Sequence, residues 1–170
     1  MNKPDKPGGA IPAASSGRRA VGPWPSTQAR QVSRLRVEFG DCDPAAIVYF
    51  PNYYRWFDQA THALCEAAGY GLAEVRAERG WVGYPIAEAG ARFRAPASTG
   101  DRLRIETRVR TWHERFFDLE HRVFRDDLML VEGWQTRFIG IHDPQRGGKL
   151  AALPIPAAFR ADVSRLAGGD

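Results

Sequence analysis

Phe39-Gly40-Asp41-Cys42-Asp43-Pro44-Ala45-Ala46-Ile47-Val48-Tyr49-Phe50-Pro51-Asn52-Tyr53-Tyr54-Arg55-Trp56-Phe57-Asp58 is the stretch on which the fold turns. Gly40 to Pro44 is turn chemistry, and it carries two carboxylates, Asp41 and Asp43. A short apolar piece, Ile47 to Phe50, follows. Pro51 then opens a helix, because the first turn leaves its N–H groups without intrahelical partners and proline loses nothing there. Tyr53, Trp56, Phe57, Ala60, Ala63, Leu64, Ala67 and Ala68 recur at helical spacing. Gly69 is the expected left-handed stop. The helix is about 17 residues, or roughly 25 Å, and its broad aromatic face predicts packing on a sheet.

Working outward, strands dominate. Upstream, Leu35, Val37 and Phe39 alternate with Arg34, Arg36 and Glu38, which predicts a half-buried strand. Downstream, a weaker helix spans about Leu72 to Glu78 and closes at Gly80. Residues 82–95 read as a strand interrupted by Pro85 and Gly90. In residues 101–113, Leu103, Ile105, Thr107 and Val109 take one face, and Arg102, Arg104, Glu106, Arg108 and Arg110 the other. Residues 115–125 and 128–142 are two more strands joined by an Asp126-Asp127 hairpin turn. Residues 142–148 read as a loop, and Pro156 precedes a short helix over about 157–166. The expected class is α+β: one long helix against an antiparallel sheet of about five strands. Such a sheet leaves long edges, and dimerisation is the natural remedy.

Charge is unevenly placed. Residues 1–30 hold five of the 24 basic residues and one of the 20 acidic ones, so residues 31–170 carry 19 of each. The expected division is therefore a basic Pro/Gly/Ser-rich disordered leader over 1–30 and one neutral domain over 31–170. A neutral domain argues against nucleic acid as partner. No run of about 18 apolar residues predicts a membrane span. Two cysteines without a CxxC pair indicate neither a disulfide framework nor a zinc site, and a cytoplasmic setting is expected. P-loop, GxSxG and HExxH motifs are absent, and no metal is expected.

A carboxylate between a strand end and a helix N-terminus suits acyl transfer, in which free backbone N–H groups hold a developing oxyanion. On spacing alone the bland alternative, in which Asp41 and Asp43 only form turns and caps, is the favoured one.

The Gly-Asp-Cys-Asp-Pro-Ala run before Pro-Asn-Tyr, followed by Glu78-Arg79-Gly80-Trp81-Val82-Gly83-Tyr84-Pro85-Ile86, resembles the hot-dog-fold acyl-CoA thioesterases of the 4-hydroxybenzoyl-CoA type. The resemblance covers about residues 34–160 and implies a helix wrapped by a sheet, in homodimers or homotetramers with sites at subunit interfaces. It implies hydrolysis of an aryl or 4-hydroxybenzoyl-CoA thioester, with coenzyme A part of the substrate and no further cofactor. It assigns Asp43 as nucleophile or general base and the backbone N–H of Phe50 as the donor that polarises the carbonyl. It places Tyr49 beside the aryl ring, Asp58 on its hydroxyl, and Tyr84 at the acyl pocket.

The sequence departs from the family after Trp112, where His113-Glu114-Arg115 replaces a basic cluster that binds coenzyme A phosphates. Arg115 keeps a charge there, and Arg92, Arg94 and Arg137 are further candidates. Phe50 stands where a sister subgroup acting on short aliphatic acyl-CoA esters has a histidine. A short-chain thioesterase and a non-catalytic acyl-CoA-binding module are the alternatives.

Overall fold

The computed structural model describes residues 31–166. The expected leader, residues 1–30, lies outside that range. The elements in chain order are β1 (Gln31–Arg36), a 3-10 turn (Phe39–Asp41), α1 (Pro51–Ala67), α2 (Leu72–Arg79), β2 (Trp81–Gly83), β3 (Ile86–Phe93), β4 (Arg102–Trp112), β5 (Phe116–Arg125), β6 (Leu128–Asp143), a second 3-10 turn (Pro144–Arg146), β7 (Lys149–Leu153) and α3 (Ala157–Arg165).

All seven strands join one curled antiparallel sheet, and β6 is its spine. Along one side of β6 run β5 and then β7; along the other run β3 and then β2. Beyond β5 lie β4 and the edge strand β1.

Helix α1 lies across the concave face. Its buried residues are Tyr53, Trp56, Phe57, Ala60, Thr61, Leu64 and Cys65. Thr61 and Cys65 replace Ala67 in the expected stripe, and Ala67 is exposed. Gly69 sits at φ 83°, the left-handed stop that its lack of a Cβ makes cheap. Beneath the helix, Gly133 of β6 is a packing requirement: a Cβ there would lie 2.4 Å from the Phe57 ring. Phe57 also stacks on His121 of β5, with ring centroids 4.7 Å apart.

The core has two lobes. One joins the first half of α1 to Val37, Leu103, Ile105, Val123, Leu130 and Val131. The other joins its second half to α2, β2 and α3 through Leu64, Tyr70, Val75, Trp81, Tyr84, Phe117 and Phe159.

Several expectations are corrected. The fold class stands, and among the described residues the sheet carries seven strands where about five were expected. Tyr84-Pro85 splits residues 82–95 into β2 and β3, because proline lacks the N–H a ladder needs. The expected loop ends in a further strand, β7, whose small residues Ala151 and Ala152 give no alternation. Phe39 is not a buried strand residue: the chain leaves β1 at Arg36, and Phe39 is 86% exposed. The charged face of β4 is not simply solvated. Glu106 and Arg108 are buried, Arg108 pairs with Glu120 at 2.7 Å, and Arg104 pairs with Glu106. The Arg108–Glu120 pair joins directly opposite residues of β4 and β5, a cross-strand pairing that stabilises a sheet, while Arg104–Glu106 lies within β4.

His121 carries a pH signature. It is buried against Phe57, with Thr107 Oγ1 2.9 Å from its Nδ1 and Gln135 Oε1 3.2 Å from its Nε2. Burial pushes its pKa down to about 3. The unfolded chain protonates its histidine near the ordinary value, and the folded chain resists to much lower pH. The unfolded state therefore binds more protons between about 6.5 and 3, and stability falls as pH falls through that window, by up to about 1.4 kcal/mol per pH unit. Denaturant titrations from pH 7 to pH 4 should show this slope, and His121→Gln should flatten it.

Candidate active site

The loop before α1 separates the two carboxylates. Asp41 is consumed by structure. Its Oδ2 accepts from the Glu38 N–H at 2.9 Å, and its Oδ1 takes Arg55 of α1 at 2.7 Å. Its carbonyl accepts from the Asn52 side chain and from the Tyr49 N–H, both at 2.8 Å. Asp41 therefore staples the 3-10 turn to the start of the helix.

Asp43 is used differently. Its backbone closes a tight loop: its N–H donates to Ile47 O and its carbonyl accepts from Ala46 N–H, each at 2.9 Å. A bridge between Cys42 and Val48 seals the base. Within the loop Ala46 takes φ 59°, a left-handed conformation that costs a residue with a Cβ about 1–2 kcal/mol. Asp43 Oδ1 accepts the Ala45 N–H at 2.8 Å. Its second oxygen has no hydrogen-bond partner among the described residues, so a half-buried carboxylate is fixed in place with one oxygen left for a ligand.

The helix N-terminus beside it is open. Phe50 is the N-cap and makes no side-chain cap. Asn52 N–H and Tyr53 N–H are spent on Tyr49 O and Phe50 O, at 2.9 and 3.2 Å. The Phe50 N–H has no partner among the described residues, which leaves a donor with the partial positive charge of a helix start available to a ligand. Tyr49 and Phe50 are 51% and 55% exposed, and their rings meet edge to face at 5.4 Å. Carboxylate, free amide and aromatic surface together suit attack on a carbonyl whose oxygen sits on the amide.

A second feature lies further along α1. A cleft of about 350 Å³ is lined by Asp58, His62, Leu72, Arg76, residues 82–86 and Arg137. Its walls are α1 on one side and the Tyr84-Pro85 break on the other. The Asp58 side chain is 45% exposed. Burial lowers the pKa of His62, with the charges of Arg137 and Arg76 adding to the effect and Asp58 opposing it. Tyr84 is buried, donates its hydroxyl to Tyr70 O at 2.7 Å, and has its pKa raised chiefly by burial. Of the expected site residues, Asp58 and Tyr84 therefore meet in the cleft, while Asp43, Tyr49 and Phe50 cluster at the helix N-terminus. The cleft does not include Asp43 or Phe50.

The four arginines do not converge. Arg92 and Arg115 are exposed. Arg115 donates to Ala152 O of β7 at 2.8 Å. Arg94 is engaged by Glu132. Arg137 is corrected as a phosphate ligand: it is 1% exposed, and its guanidinium is held by Asp58, Gln135 and the Tyr84 carbonyl. Sequence reasoning passed over His62 and Arg76. Only the fold of α2 and β2 against α1 brings them into the cleft, and no local motif marks them. Among the described residues no group of three or more His, Cys, Asp or Glu is placed to hold a metal, and no helix is long and apolar enough to cross a membrane.

Comparison with known proteins bears on the family and the fold. The model of the family described as the thioesterase-like superfamily matches residues 37–163. A 4-hydroxybenzoyl-CoA thioesterase of Pseudomonas sp. (strain CBS-3) is 38% identical over 130 residues, covering 73% of this chain and 90% of that protein. A 1,4-dihydroxy-2-naphthoyl-CoA hydrolase of Thermosynechococcus vestitus (strain NIES-2133 / IAM M-273 / BP-1) is 30% identical over 125 residues, covering 74% and 85%. Among solved structures, a 4-hydroxybenzoyl-CoA thioesterase variant in complex with 4-hydroxybenzoyl-CoA superposes with a TM-score of 0.74 at 33% identity, covering 79% of this chain and 99% of that one. A gentisyl-coenzyme A thioesterase superposes at 0.68 and 32% identity, covering 78% and 99%. The wrapped helix, the Asp43 loop and these matches together place the chain in the thioesterase-like superfamily, to which it belongs.

Proposed function

We propose that the chain hydrolyses an aryl-CoA thioester to the free acid and coenzyme A. One observation carries the reading: among the described residues, one Asp43 carboxylate oxygen and the Phe50 amide at the start of the following helix are both without partners, whereas Asp41 is fully engaged. The Asp43 oxygen attacks the thioester carbonyl carbon while the Phe50 N–H holds the oxyanion. The C–S bond breaks and coenzyme A leaves as thiolate, which takes a proton from water. Water then attacks the mixed anhydride and returns the Asp43 carboxylate. In the competing version the same carboxylate takes a proton from the attacking water. No cofactor beyond the coenzyme A of the substrate enters either version.

The exposed rings of Tyr49 and Phe50 support an aromatic acyl group, and the Asp58 carboxylate supports a hydroxyl on it. Asp58 follows Phe50 by eight residues, about 12 Å of helix rise, so one chain spreads these groups widely. That spacing and the exposed Ile47, Tyr49 and Phe50 support a homodimer that completes the site, with a homotetramer built from it. Arg92 and Arg115 are the exposed candidates for the phosphates, with Arg94 in the exchangeable pair with Glu132. The reading places the protein in the cytoplasm, where acyl-CoA esters form, without a role at nucleic acid or membrane.

Release of coenzyme A thiol from a panel of esters tests the reading. Hydroxyaryl esters, 4-hydroxybenzoyl-CoA and 1,4-dihydroxy-2-naphthoyl-CoA, should exceed hexanoyl-CoA by at least about tenfold in kcat/KM. Preference for hexanoyl-CoA would favour the short-chain alternative. Tight binding of every ester without turnover would favour the non-catalytic module.

A further inference from the structure

Arg137 is a charge buried in the fold, with 1% of its surface exposed. Strand alternation puts Gly133, Gln135, Arg137 and Ile139 of β6 on the inner face, against α1. A guanidinium is expensive in such a place unless its donors are all taken and its charge is paired. Here each of the three guanidinium nitrogens has an acceptor, and the charge is paired. Nε donates to Gln135 Oε1 at 2.9 Å, Nη1 to Tyr84 O at 2.8 Å, and Nη2 to Asp58 Oδ1 at 2.6 Å. Asp58 is the one carboxylate it pairs with among the described residues, and Asp58 is half-exposed on the cleft.

These bonds tie both walls of the cleft to one buried group. Asp58 belongs to α1, and the Tyr84 carbonyl belongs to the break between β2 and β3. Gln135 anchors the guanidinium behind them, and Gln135 Oε1 also accepts from Thr61 Oγ1 of α1 at 3.1 Å. A carboxylate on a helix surface ordinarily samples several rotamers. Here one oxygen of Asp58 is fixed by Arg137, and the other is left to accept a hydrogen bond from whatever occupies the cleft. His62, one turn along, stands 3.7 Å from the same fixed oxygen.

We propose that Arg137 is the positioning residue for acyl-group selection: it holds Asp58 and the Tyr84-Pro85 wall so that the cleft favours an acyl group bearing a phenolic hydroxyl over the same group without one. This rests on the thioesterase reading above, and it goes beyond it in naming a buried residue that touches no substrate. A site built around a fixed acceptor rejects the analogue lacking the hydroxyl, because the acceptor is then buried without a partner.

The test compares 4-hydroxybenzoyl-CoA with benzoyl-CoA on the full chain. The wild type should prefer the hydroxylated ester by at least about tenfold in kcat/KM. Arg137→Met should bring the ratio close to one, by slowing the hydroxylated ester and leaving benzoyl-CoA within about threefold. Arg137→Lys, which keeps the charge, should restore part of the ratio. An equal loss on both esters, or an unchanged ratio, would overturn the proposal, since a merely structural arginine affects both alike. If Arg137→Met is insoluble, Asp58→Asn decides: it keeps an oxygen for Arg137 but removes the charged acceptor, and an unchanged ratio again overturns the proposal. A wild type that hydrolyses neither ester overturns the thioesterase reading instead. Calorimetric affinities for the same two esters then carry the comparison, with the same loss of ratio expected on Arg137→Met and an unchanged ratio overturning the inference.

Discussion

Asp43→Asn is expected to lower kcat for the preferred ester by at least about 10²–10⁴-fold, the range lost when a positioned acid–base group is removed. The substitution is nearly isosteric. Its amide oxygen still accepts the Ala45 N–H that orients Asp43, so the loop keeps its form. The lost element is a charged oxygen next to the reacting carbon, which either version of the chemistry needs. KM should change little, because the amide keeps the size and shape of the carboxylate. Asp41→Asn is the control. It weakens the hold on Arg55 and on the 3-10 turn, so it should act on stability and leave kcat far closer to wild type. Equal rates for wild type and Asp43→Asn would remove Asp43 from the mechanism.

The second large effect falls on the fold. Phe57→Ala should destabilise the protein by about 3–5 kcal/mol, the usual range for truncating a fully buried aromatic residue. Phe57 has no exposed surface, stacks on His121, and fills the gap that Gly133 leaves in β6. Nothing nearby can close that space, because the sheet beneath is held by its own ladder. Denaturant unfolding at one fixed protein concentration measures the loss, since an oligomer's stability depends on concentration. A loss below about 1 kcal/mol would contradict a core centred on this contact.

Much of the frame was legible from residue spacing. Pro51 and Gly69 bracket α1, and alternation in 101–113 gives the buried face of β4, with Leu103, Ile105 and Thr107 inside. The misses have physical causes. β7 is built on Ala151 and Ala152, which carry too little apolar contrast to alternate. Phe39 follows the strand's parity, but the chain has already turned into the 3-10 segment capped by Asp41, so parity no longer decides its direction. Arg137 shares the inward parity of Ile139, yet a charged side chain reads as solvent-facing until Asp58, from a distant helix, is known to lie opposite. Spacing alone does not separate Asp41 from Asp43 either; the family resemblance singles out Asp43. Two residues apart, they look alike in local spacing, and the physical difference lies in the contacts of Asp41 with Arg55 and Glu38, which the spacing does not reveal.

The most direct test of the catalytic site is a crystal structure of the full-length Asp43→Asn variant with 4-hydroxybenzoyl-CoA. The expected result is the thioester carbonyl oxygen within about 3 Å of a Phe50 amide nitrogen, the position an oxyanion-holding donor must take. The substituted side chain should face the carbonyl carbon, and the aryl hydroxyl should meet an Asp58 carboxylate. An acyl group bound away from the helix N-terminus, with position 43 facing solvent, would contradict the assignment of this loop as the catalytic centre.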